Sequence, residues 1–72
     1  MEKVYTIETV AEQSFCIGAF VNFDKAKEYF EKAKTFVGKR DAPVAELTWA
    51  RRLLLLAWQE DKYEIIEDWG KP

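Results

Sequence analysis

Apolar and polar side chains alternate at the start of this chain. Tyr5 and Ile7 stand against Thr6 and Glu8 within Val4-Tyr5-Thr6-Ile7-Glu8-Thr9-Val10, a β-branched and aromatic run whose period of two predicts a half-buried strand. Ala11-Glu12-Gln13-Ser14 is short enough for a hairpin connection, and Phe15-Cys16-Ile17-Gly18-Ala19-Phe20-Val21 predicts a second strand. That second run is the more apolar of the two, so it is expected to lie more centrally in the sheet. Gly18 within it signals a bulge or a close approach by another backbone.

The period then changes. Phe23, Ala26, Phe30, Ala33 and Val37 are spaced 3, 4, 3 and 4 residues apart, which gathers them on one face of a helix with Tyr29 and Phe36 at its margins. Asn22 is a favoured N-cap, Asp24 places negative charge in the first turn, and Gly38 followed by Lys39-Arg40 suits the C-terminal end.

The segment from Asp41 to Asp61 admits two readings. Asp41 as a cap, Pro43 in the first turn and the strong helix formers from Ala45 onward favour a helix of about 15 residues over 44–58. The rival is a strand from Leu47 to Trp58 that turns at Gln59-Glu60-Asp61-Lys62, but adjacent Arg51 and Arg52 would then put one charge on each face. Tyr63-Glu64-Ile65-Ile66-Glu67-Asp68-Trp69 reads as a closing strand before Gly70-Lys71-Pro72. The expected fold is α+β: a small three-stranded, antiparallel-containing sheet with two helices packed on one face, in the order β-β-α-α-β. The first two strands are expected to be hairpin neighbours, and the last to add beside the first, its side and direction left open.

Leu53-Leu54-Leu55-Leu56 carries the functional expectation. Four consecutive residues sweep about 300° around a helix, more than one core-facing stripe covers, so Leu55, beside Arg52 and Gln59, is expected to face water or a partner. Trp49, Trp58 and Trp69 add residues of the type enriched at binding hot spots, as do Arg51 and Arg52.

Length and composition narrow the remaining choices. At 72 residues with 49% hydrophobic side chains, the chain is expected to form a single domain over 1–72, and its lone cysteine cannot close an internal disulfide. The start, Met1-Glu2-Lys3-Val4-Tyr5, has no secretory pattern, and the longest apolar run, Leu53–Trp58, falls far short of the roughly 18 residues a bilayer span needs. A cytoplasmic location and no membrane partner are the expectations.

Candidate chemistry is sparse. Cys16 has no histidine anywhere in the chain to activate it and lies in an apolar run, where burial is the expectation. Glu60, Asp61, Glu64, Glu67 and Asp68 do not have calcium-loop spacing, and on a regular strand Glu64 and Glu67 would point to opposite faces. No catalytic residue, metal ligand or cofactor is expected. Charge is uneven: residues 25–52 hold eight Lys/Arg against four acids, although the net charge is −2. A nucleic-acid-associated protein using Lys25, Lys32, Lys39, Arg40, Arg51 and Arg52 is therefore the alternative, set against an isoelectric point near 5.1 and the glutamates Glu28 and Glu31 interleaved with the lysines.

Lys3-Val4-Tyr5, Ile17-Gly18-Ala19-Phe20, Asp24-Lys25-Ala26-Lys27-Glu28-Tyr29-Phe30 and Tyr63-Glu64-Ile65-Ile66-Glu67 together resemble small strand-strand-helix-strand proteins of bacteria and phages, mostly of unknown function. The resemblance covers about two-thirds of the chain, departs from it at Asp41–Asp61 and carries no catalytic residue across. It implies that a phage-type inhibitor of a host protein is one class to consider. The expectation is thus a non-catalytic module that binds another protein or its own copy through Trp49, Arg51, Arg52, Leu55, Leu56, Trp58 and Trp69, or through an exposed strand edge.

Overall fold

The computed structural model describes residues 3–70; the reading of Lys71-Pro72 as the chain's close, and of Met1-Glu2 at its start, lies outside them. Strands β1 (Val4–Val10) and β2 (Ser14–Phe20) are followed by helices α1 (Phe23–Lys34) and α2 (Ala45–Trp49), then by strands β3 (Arg52–Gln59) and β4 (Lys62–Gly70). The four strands form one antiparallel sheet in the order β2-β1-β3-β4. The α+β class, the first hairpin and the closing strand agree with expectation, but the sheet has one strand more.

Three placements differ from those expected. The segment read as a long helix is mostly β3, which occupies the centre of the sheet. β4 consequently pairs with β3 and not with β1. β2, expected to be the more central of the first two strands, is an edge. Its apolar composition reflects the aromatic and aliphatic side chains it packs beneath α1, among them Ile17 and Phe20, and not enclosure between neighbouring strands.

The objection that a strand here would place one arginine on each face does not arise, because β3 begins at Arg52. Arg51 precedes the ladder, where its N–H donates to the Val10 carbonyl at 2.9 Å. Arg52 enters on the face that carries no helix and pairs with Asp68 of β4. Only α2 is left of the second helix, five residues capped by Val44 with no side-chain hydrogen bond, so Asp41 does not serve as its cap.

The core lies between α1 and one face of the sheet. Ala26, Phe30 and Ala33 of α1, Leu47 of α2, Ile7 of β1, and Leu53 and Leu55 of β3 form one buried cluster. Helix α1 follows its apolar spacing, and its cap is the one expected: the Asn22 side chain accepts from the Lys25 N–H at 3.0 Å. The helix ends sooner than its periodicity suggests, at Lys34, and the chain continues in tight turns to Gly38, whose φ of 79° is left-handed. Asn22→Ala is expected to lower stability by about 1 kcal/mol, the usual value of a lost N-cap, as a shift in the urea midpoint.

On the exposed side of α1 the interleaved charges pair: Lys27 with Glu31 at 2.9 Å, Lys34 with Glu31 at 2.8 Å, and Lys32 with Glu28 at 3.6 Å. The hydrogen bond from Lys34, then that from Lys27, holds the Glu31 carboxyl below its ordinary value. A depressed carboxyl adds stability above its unfolded value that is lost as pH falls through the folded one, and the solvent around the exposed Glu31 keeps its contribution minor.

Two bulges set which side chains share a face. In β2 the register against β1 slips between the Ile7–Gly18 and Glu8–Cys16 pairs, leaving Ile17 as the extra residue. In β4 it slips between Leu55–Glu67 and Leu56–Ile65, leaving Ile66 unpaired. Leu55 and Ala57 are two residues apart on β3, so their partners Glu67 and Glu64 share the helix-bearing face. Regular alternation would have opposed these two glutamates; the bulge instead brings Glu67 over α1, where its carboxylate pairs with Lys27.

Candidate functional site

A cleft of about 580 Å³ opens where the β1–β2 turn meets α2. Its walls include Ala11, Glu12 and Gln13 of the turn, Phe15 of β2, Glu46 and Trp49 of α2, and Arg51. Phe15 reaches the cleft because it pairs with Thr9 at the end of β2, on the face that also carries Leu53. Trp49 reaches it because α2 ends there: Leu47 anchors the single turn in the core, and Ala50 then adopts an extended backbone that leads into β3. Trp49 is 76% exposed and Phe15 48%. Aromatic side chains of this size normally bury most of their surface in a small domain.

The expected partner-binding residues do not form one surface. Trp49 and Arg51 line the cleft. Leu55 is fully buried and Leu56 is 3% exposed, so the quartet leaves no leucine projecting into water, and even Leu54 is half-buried. The geometric argument for a surplus of leucine fails because a strand sends alternate side chains to opposite faces: Leu53 and Leu55 go under the helices, and Leu54 and Leu56 go to the other side.

Trp58 lies on that other side, where its indole N–H donates to the Thr6 hydroxyl at 2.9 Å and its ring meets Tyr63 at 4.9 Å. It is held within the sheet rather than presented. Arg52 is engaged by Asp68 on the same side. Trp69, opposite Leu53, is 37% exposed on the helix-bearing face. The six cations of the nucleic-acid alternative are also divided, since Lys25 and Lys32 sit on α1 while Arg52 lies on the opposite face of the sheet.

Composition alone missed Phe15 and misplaced Cys16. Cys16 is exposed, not buried: it lies opposite Glu8 on the helix-free face of an edge strand, with its thiol 3.4 Å from the Gly18 carbonyl. Among the described residues no cluster of His, Cys, Asp and Glu side chains is arranged to hold a metal ion, and no helix is long and apolar enough to cross a membrane. Neither a family model, nor a curated protein, nor a solved structure matches this chain.

Proposed function

We propose that this chain is a non-catalytic protein-binding module that receives an apolar side chain of a partner protein in the cleft between Phe15 and Trp49. The observation behind this reading is the exposure of Trp49, 76% of whose surface is held in water by an otherwise well-anchored turn. Trp is among the residue types over-represented at binding hot spots, and covering its rings and that of Phe15 would recover apolar surface that the fold leaves wet. The walls that flank the two rings carry Glu12 and Glu46 on one hand and Arg51 on the other, a polar rim suited to orienting a peptide backbone or charged neighbours of the anchor. The groove is bounded by side chains that are themselves exposed, which fits a macromolecular partner better than an enclosed small ligand.

Selection of peptides from a random library on the purified protein tests this. Selected peptides should carry an aromatic or large aliphatic anchor, bind with little dependence on salt, and lose about thirtyfold in affinity to the Trp49→Ala variant, the equivalent of a 2 kcal/mol hot spot. Trp49 touches the fold so lightly that the variant should keep the wild-type circular dichroism spectrum. Peptides that bind Trp49→Ala as well as wild type, or ligands released steeply by added salt, would refute the cleft as the binding element.

A further inference from the structure

The two edges of the sheet are defended very differently. β4 carries Lys62, Glu64, Glu67 and Asp68 along its length, the charged side chains that normally discourage pairing with another strand. β2 carries none: Ser14-Phe15-Cys16-Ile17-Gly18-Ala19-Phe20 has no charge and no proline, and Val21, just beyond it, is 72% exposed. The bulge at Ile17 is the one protective device on this edge, and the Tyr29 hydroxyl already donates to the Ile17 carbonyl at 3.3 Å. Beyond the bulge, Gly18-Ala19-Phe20-Val21 has small side chains at its first two positions, and the Ala19 side chain is exposed.

We propose that this arm of β2 pairs antiparallel with the same arm of a second copy of the chain, joining two four-stranded sheets across a two-fold axis. The choice of a second copy over a foreign strand follows from the symmetry. Around a two-fold axis each residue meets its own kind or a near neighbour, so a charged edge repels itself, whereas an uncharged one does not. β2 meets that condition, and β4, with three acids against one lysine, fails it. A two-fold axis perpendicular to the sheet also keeps both helical layers on the same side. The part of α1 beside this edge lines a shallow groove with Phe20 and Tyr29 and carries Lys25, Glu28 and Lys32, a row of mixed sign that sets no uniform field against its copy. The cleft at Phe15 lies at the other end of β2, so self-pairing leaves it open, and the two proposals stand or fall separately.

Sedimentation of the full chain over a range of concentrations tests the pairing. The wild type should sediment as a dimer, and Ala19→Lys, which sets like charges across the axis on an exposed side chain, should be a folded monomer by circular dichroism. The lone thiol supplies a second reading: with a nitroxide on Cys16, the two labelled strands, about 4.8 Å apart, should give an inter-spin distance within roughly 25 Å. A wild type that stays monomeric, a dimer that Ala19→Lys leaves intact, or labels much farther apart than that would overturn the proposal. If Ala19→Lys fails to fold, Ala19→Glu at the same exposed position sets like charges across the axis and gives the same contrast.

Discussion

Leu55→Glu is expected to leave the chain unfolded at room temperature. Leu55 is fully buried on the central strand, with Ile7 across from it on β1 and Glu67 across from it on β4. A carboxylate at this position would have no cationic partner within the apolar cluster and would stand on the same face as Glu67. Burying a charge without a partner costs several kcal/mol, and removing the leucine forfeits a further 2 kcal/mol or so of apolar burial. A domain of this length has only about 4–11 kcal/mol of stability in total, at 0.05–0.15 kcal/mol per residue. Far-ultraviolet circular dichroism and a urea titration check this; a cooperative unfolding transition like that of the wild type would refute the assigned position of Leu55. Leu54→Lys, on the half-buried helix-free face, should cost far less and serves as the control. Any loss of partner binding by Leu55→Glu would report the missing fold and not a missing contact.

Phe30→Ala should have the second largest effect, about 3–5 kcal/mol, the usual range for emptying an aromatic site in a core. Phe30 is fully buried at the middle of the apolar face of α1, in one cluster with Ile7, Leu47, Leu53 and Leu55. Lys27 and Lys34 place their ammonium groups 5.6 and 5.0 Å from its ring centroid, so the ring also orders the two lysines that pair with Glu31. Much of the cost comes from the cavity left behind, because a single helix over a sheet has little freedom to settle into a hole of that size. A urea midpoint lowered by several kcal/mol equivalents is the expected result; a change below about 1 kcal/mol would mean that α1 is not seated on the sheet through this ring.

How far the fold was legible varies along the chain. α1 was legible from its 3,4 spacing and from Asn22, because a helix with one wet face must write that face into its sequence. β1 was legible for the same reason at period two, its helix-free face carrying Thr6 and Glu8. β3 was not. Leu53–Trp58 holds apolar side chains on both faces, under α1 on one side and against Thr6, Ile65 and Tyr63 on the other, and such a run has no face contrast from which a period can be read. The turn at Gln59-Glu60-Asp61-Lys62 entered only with the rival strand reading, and its sequence argued weakly for a hairpin: Glu60 takes a left-handed φ of 60° in a two-residue connection that glycine or asparagine would have favoured.

The candidate site was legible only in part. Trp49 and Arg51 were singled out, but for their place on a helix that does not form, and Phe15 was passed over as one more apolar residue of a strand. Nothing in either neighbourhood says that the β1–β2 turn and α2 come together, since 30 or more residues separate them along the chain. Residue parity was equally out of reach, because a bulge is one extra residue with no fixed sequence mark, and the one at Ile66 decides that Glu67 meets Lys27.

Periodicity and capping are properties of a single segment, so the chain's own order of residues was enough to determine α1, the first hairpin, the closing strand and the α+β class. Which segment fills the gap between β1 and β4 is a property of the assembled sheet. Both strands offer backbone N–H and C=O groups along one side, and burying those groups unpaired would cost more than the modest helix preference of 44–58 is worth. The leucine run therefore becomes the middle of the sheet, and only the tertiary structure could decide it.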